Sequence, residues 1–213
     1  MISFFKKKEE EPVLPLGLRV GAPVEISEFA FMEVAVEFAK EASSLECVVE
    51  RLESFDLGED GVMLWAYLSN SEGILHVYAD TEGQIEELRL YRTVHVETPS
   101  TQEEWAFWEE ELIGFIRFQM SDQIMPEAPI YDRMWQAEGA EQIAAMTLEA
   151  RTHPLEKDAP LVEHRAMRYA RLICEEPVEK TEWLDIVISE DEDEAWIDIR
   201  IGYDLKQGDI TVL

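Results

Sequence analysis

Between residues 48 and 96, four apolar runs (Val48–Leu57, Val62–Leu68, Ile74–Ala79 and Ile85–Val96) are separated by short turns that contain glycine. The turns are Gly58-Glu59-Asp60-Gly61, Ser69-Asn70-Ser71-Glu72-Gly73 and Asp80-Thr81-Glu82-Gly83. Strands this closely spaced pair with their neighbours as an antiparallel meander, because a parallel pair would need a long crossover. Val62–Leu68 is apolar at nearly every position, as in a strand covered on both faces. In Ile85–Val96 the side chains of Leu88, Leu90, Val94 and Val96 fall on one face. Near the C-terminus, Trp183–Ser189 and Ala195–Ile201 read as two further strands joined by a hairpin with the charged tip Glu190-Asp191-Glu192-Asp193-Glu194.

Helices enter elsewhere. Ser100 and Thr101 each have a glutamate three residues on, Glu103 and Glu104, which is the pattern of a capping box. Trp105, Trp108 and Leu112 follow on one helical face, placed to fill a core. Gly139 separates the short extended piece Tyr131–Trp135 from an expected helix over 140–152. Segments 28–45 and 163–174 fit helix and strand equally well, since short apolar runs cannot be assigned by period alone. The expected fold class is therefore α+β, mainly antiparallel sheet with a few helices. Residues 1–12 are expected to form a disordered tail ahead of a single α+β domain over 13–213, with any subdivision falling near residue 120.

The chain carries 47 acidic and 18 basic residues in 213, a net charge of −29. A nucleic-acid binder needs a basic footprint, so that class is excluded, and anionic lipid is disfavoured for the same reason. The sign favours basic proteins or cations as partners, although high net charge also serves solubility alone. No apolar stretch approaches the ~20 residues of a membrane-spanning helix, so no transmembrane segment is expected. The N-terminus lacks the order of charge and apolar residues found in a secretion signal. The expectation is a cytoplasmic protein. Cys47 and Cys174 are too few for a disulfide framework and sit among apolar neighbours.

No motif of established chemistry survives inspection. The acid run 190–194 lacks the glycine of a calcium-binding loop, because the sixth position counted from Asp191 is Trp196. His76, His95, His153 and His164 show no zinc-ligand spacing, and no phosphate loop or nucleophile elbow is present. No cofactor, metal or catalytic residue is expected. One segment runs against the acidic trend: residues 151–171 hold Arg151, Lys157, Arg165, Arg168 and Arg171 against Glu156, Asp158 and Glu163. Guanidinium forks there suit a carboxylate or phosphate. Arg165, Arg168, Arg171 and His164, with Tyr131 and Arg133 from the preceding piece, form the candidate ligand-binding set. The competing assignment pairs these arginines with the protein's own acids.

Six stretches occur in order along the chain: Leu14–Ala22; Phe55–Gly58 running into Val62–Leu68; Pro99-Ser100 with Glu104-Trp105; Tyr131–Trp135; His164–Arg171; and Gly202–Leu205. Together they resemble an uncharacterised bacterial family, the YjfK-like proteins, a domain of unknown function. Leu64-Trp65-Ala66-Tyr67-Leu68 departs from that family's more polar, arginine-containing strand. The resemblance implies an accessory role in membrane or envelope stress, beside a phage-shock-protein-A-like membrane-associated partner. It carries over no catalytic residue. The functional expectation is a non-enzymatic acidic binding or adaptor protein. The alternative is a sensor or enzyme that takes an anionic small molecule through the 151–171 segment.

Overall fold

The computed structural model describes residues 14–31, 45–69, 73–108, 115–118, 128–134, 145–154, 156, 158–174, 180–190 and 195–213. Strands follow one another through nearly all of them: β1 (Pro23–Ile26), β2 (Leu45–Asp56), β3 (Val62–Leu68), β4 (Gly73–Ala79), β5 (Ile85–Glu97), β6 (Phe115–Arg117), β7 (Ile130–Arg133), β8 (Met146–Thr152), β9 (Leu161–Cys174), β10 (Lys180–Glu190), β11 (Ala195–Asp204) and β12 (Ile210–Val212). The α-helix among them is the five-residue α1 (Gln102–Ala106). Thr101 caps it, its hydroxyl accepting from the Glu104 N–H at 3.2 Å, while the Glu104 carboxylate accepts from the Ser100 N–H at 2.7 Å. These hydrogen bonds from Ser100 hold the Glu104 carboxyl below its ordinary range.

Eight strands close into an antiparallel barrel in the order β2-β3-β4-β5-β11-β10-β9-β8 and back to β2. The fold is therefore not α+β. The expected helix over 140–152 is the clearest correction. Met146–Thr152 is strand β8, paired to β9 from Met146↔Ala166 to Arg151↔Leu161; residues 140–144 lie outside the described residues. The composition of that stretch suits a helix, but pairing to β9 sets its conformation, since tertiary partners override weak local preference. Segment 163–174 resolves as strand β9. The tail, the region about residue 120, residues 32–44 and the acidic tip 191–194 lie outside the described residues.

The barrel joins two meanders. The first, β2 to β5, has hairpin registers such as Trp65↔His76 and Ile74↔Tyr91. The second, β8 to β11, includes the expected hairpin, with Trp183↔Gly202 and Ser189↔Trp196. One junction between the meanders is long: β5 and β11 pair from Glu97↔Ile197 to Arg89↔Asp204, with a bulge opposite Ile199/Arg200. The bulge absorbs Val94, so Val96 leaves the face of Leu88 and Leu90 and is exposed. The other junction is minimal, with β2 and β8 paired only at Glu53↔Thr152 and Ser54↔Arg151.

Directly paired residues share a face, so the registers sort the side chains round the ring. One face carries Glu53, Trp65, His76, Arg89, Tyr91, Arg200, Asp185, Arg168 and His164; the other carries aliphatic residues such as Leu64, Leu75, Leu90, Ile186 and Ile199. The charged face is the inner one. His76 on β4 lies four strands from β9 round the ring in either direction, yet its Nδ1 is 3.4 Å from Arg168 Nη2. At about 4.8 Å per strand along the wall, that contact can form only across the lumen.

The aliphatic outer face is covered in turn. β1 and β12 pair with each other, and β1 with the start of β2, forming a small sheet. Val24, Ile26 and Ile210 of this layer join Leu64, Leu75, Leu88 and Ile201 in a single apolar cluster, with Trp105, Trp108 and Phe118 half-buried against it. Both faces of β3 are thus buried, as its composition implies.

Gly202 faces Tyr91 across the β5–β11 junction, and a Cβ there would sit 2.5 Å from the tyrosine ring. Gly202→Ala is expected to destabilise the protein by about 1–3 kcal/mol through overpacking, measured as a lowered urea midpoint. An unchanged midpoint would show that the Tyr91 ring can move aside.

Candidate functional site

Chemistry-bearing side chains concentrate inside the barrel. Arg168 donates a two-pronged pair of hydrogen bonds to Asp185, Nε to Oδ1 at 2.8 Å and Nη2 to Oδ2 at 2.7 Å, with both residues buried. The bidentate geometry offsets the cost of taking two charges out of water. Burial opposes the charged form of Arg168, but Asp185 outweighs it and holds the guanidinium firmly protonated. Arg200, 1% exposed, donates to Asp198 at 2.7 Å, and its guanidinium carbon lies 5.1 Å from the Trp65 ring. Arg89 reaches Asp204 at 2.8 Å and Glu87 at 2.6 Å at the rim.

On the β2–β8–β9 side, Glu53 accepts from His164 Nε2 at 3.1 Å and from the Tyr67 hydroxyl at 3.0 Å. The other nitrogen of His164 meets Ser189 at 3.2 Å. Burial raises the Glu53 pKa, but the His164 hydrogen bond and the Arg51 charge outweigh it, so the carboxyl is held below its ordinary value. Burial also pushes the Tyr67 phenol up to about 12. Phe55, Trp65, His76 and Tyr91 run through the lumen as a connected aromatic series, with Trp65 and His76 stacked at 4.7 Å.

His76 is held neutral. Burial and the charges of Arg168, Arg200 and Arg89 depress its pKa well below that of a free imidazole. Arg168 can only donate, so His76 Nδ1 accepts and Nε2 carries the hydrogen. Among the described residues, His76 Nε2, Trp65 Nε1, the Tyr91 hydroxyl and the Nε and Nη1 of Arg200 have no hydrogen-bond partner. The nitrogens among them are all donors. No group of His, Cys, Asp and Glu among the described residues could hold a metal ion.

The six residues singled out from the sequence divide between two faces. His164 and Arg168 enter the lumen. Arg165, Arg171, Tyr131 and Arg133 lie on the outer face. Arg165 pairs with Glu190 and Arg171 with Glu182. Arg133 donates to the Tyr169 hydroxyl at 3.1 Å. Glu182 is fully buried and accepts from the hydroxyls of Tyr131 and Tyr203, and from Arg171, which ties β7, β9, β10 and β11 together. The lumen partners Glu53, Trp65, His76, Asp185 and Arg200 were not singled out. Their one sequence signal is charged or aromatic residues alternating with aliphatics, which gives a shared face but not its contents.

The barrel opens to solvent at its weak junction. Beyond Ser54↔Arg151 the β2 and β8 strands are no longer paired, and a cleft of about 640 Å3 lies between Phe55, Asp56 and Leu57 on one side and Thr147, Leu148 and Glu149 on the other. Phe55, Leu57 and Leu148 belong to the lumen cluster and form its floor, while Leu161 at its rim is 59% exposed.

Two outcomes follow from the lumen. Arg168→Met leaves Asp185 buried without its partner and is expected to cost about 3–5 kcal/mol in denaturant unfolding, whereas Arg168→Met with Asp185→Leu recovers most of it. His76, depressed in the folded state, contributes stability that is fully present above the ordinary imidazole pKa of about 6.5 and is lost as pH falls below it. Unfolding free energy should therefore decline below that pH with a slope component approaching about 1.4 kcal/mol per unit. His76→Gln should remove that component.

No curated protein and no solved structure matches the chain. A family model does, described as a protein of unknown function, DUF2491. The resemblance noted in the sequence holds at that level, as an uncharacterised domain, and the match carries no YjfK-like designation. Since the model spans residues 1–211, the chain belongs to the DUF2491 family of proteins of unknown function.

Proposed function

We propose that this is a non-enzymatic binding protein that docks a basic partner through its acidic exterior. Segregation of charge carries the reading. Arg89, Arg133, Arg168 and Arg200 are buried inside the protein, where most face its own carboxylates. The exposed basic residues among those described are Arg19, Arg51, Arg117 and Lys206, against exposed acids on β2 and β5 and in the turns that follow β2 and β4, including Glu46, Glu50, Asp56, Glu59, Asp60, Glu82, Glu86 and Glu87. The charge on offer to a partner is thus more acidic than the composition alone implies.

A cytoplasmic setting and a Lys/Arg-rich, membrane-associated partner of the phage-shock-protein-A-like class are the form of this reading that the sequence resemblance suggests. Anion capture by Arg165, Arg168 and Arg171 would require a ligand to displace Glu190, Asp185 and Glu182 from their guanidinium groups. The geometry therefore favours partner binding.

The test is capture of the tagged protein from its own cells at low ionic strength, beside an unrelated protein of matched negative charge. A stoichiometric partner absent from the control and released by a salt step is the expected result, because exposed charge is screened over about 10 Å at 0.1 M salt. Recovery identical to the control, or a complex indifferent to salt, would overturn the reading.

A further inference from the structure

We propose that the open β2–β8 junction is a docking groove for an extended basic segment, which adds as a strand to the edge of β8 that has no strand partner among the described residues. This rests on the basic-partner reading above and gives it a place. β8 is paired to β9 along one edge from Met146 to Arg151, but its other edge meets β2 only at Arg151 and Thr152. Over Met146–Ala150 that second edge has no strand partner among the described residues. An unpaired edge is a template for another strand, and main-chain pairing then supplies affinity while alternate side chains supply specificity.

The groove beside that edge also has a two-sided chemistry matching the pleat of a strand. Its floor is apolar, made by Phe55, Leu57 and Leu148. Its outer rim carries the exposed acids Asp56 and Glu149, with Glu163 directly across from Glu149 on β9, against one cation, the half-buried Arg151 at the closed end where β8 meets β2. A strand laid along β8 would turn every second side chain to the floor and the intervening ones to the acids. The occupant that fits is a peptide alternating apolar and basic residues. The volume, about 640 Å3, lies within the range of built binding clefts, about 300–1,000 Å3. Exposed Met146 and Leu161, 40% and 59% accessible, are apolar surface such a segment would cover.

The probe is a short acetylated peptide of alternating valine and lysine, added to the full chain, with residue-resolved amide hydrogen exchange as the readout. Slowed exchange over Met146–Ala150 is expected. The same peptide N-methylated at alternate residues, which cannot complete the ladder, should give no protection there. Asp56→Lys with Glu149→Lys should bind the lysine peptide about tenfold more weakly, the scale of two cross-strand charge pairs turned from attractive to repulsive, and should accept a valine–glutamate peptide instead. Both acids are exposed, so the variant is expected to fold.

Binding that protects other strands, or that N-methylation does not affect, would overturn the groove while leaving the basic-partner reading standing. Absence of any salt-sensitive binding would overturn both. Protection of β8 by the valine–glutamate peptide in the unaltered protein would retain strand addition but overturn the assignment of a basic occupant.

Discussion

The buried fork between Arg168 and Asp185 is the interaction on which the barrel depends. The two residues sit opposite each other on β9 and β10, and Arg168 reaches across the lumen to His76 on β4. A barrel of eight strands has an interior just wide enough for side chains to fill. Filling it with charge is costly unless each charge is paired, and a half-satisfied network is worse than an apolar core. The other pairs follow the same logic. Asp198 answers Arg200, and Glu53 answers His164 and Tyr67. Aromatic rings occupy the space between them.

The arrangement inverts the usual placement of charge in a small barrel. Aliphatic residues line the outside, where the β1–β12 layer and the half-buried Trp105 and Trp108 cover them. The consequence reaches the surface. Because most arginines are drawn inward or held by the protein's own acids, the exposed side chains among the described residues are left with carboxylates in excess. At long range a surface of this sign favours cationic over anionic groups. The fold also concentrates its weakness at one place. The β5–β11 junction is long, whereas β2 and β8 meet over two residue pairs, and the lumen cluster comes to the surface there.

Much of the wall was legible in the sequence. Turns at Gly58–Gly61 and Asp80–Gly83 marked the first meander, and the C-terminal hairpin followed from two strong strands flanking an acidic tip. The expected helix over 140–152 was wrong in its described part, because the pairing partner of β8 is the distant β9 and no local pattern announces it. That error, with the helix expected from Thr101 through Leu112, of which α1 covers Gln102–Ala106, carried the fold class from all-sheet to α+β. Val96 was assigned to the face of Leu88 because a bulge, set by the pairing of β5 with β11, cannot be counted along one strand. The candidate site was legible only as a list of arginines. The sequence placed them near histidines and an aromatic segment, but the carboxylates Asp185, Glu182 and Glu190 that answer them lie on the next strand, and pairing was needed to join them.

By itself the sequence determined the strand-rich character of 48–96, the hairpin near the C-terminus and the acidic balance, because turn residues, period and charge are local or additive properties. Only the tertiary structure decided that the strands close into a ring, which face turns inward, and where the ring is weakest. Alternation along a strand states that two sets of side chains point opposite ways. It does not state which set meets across a lumen, because that depends on curvature and on partners far away in the chain. His76 and Arg168 are 92 residues apart, and their contact exists only once the barrel has closed.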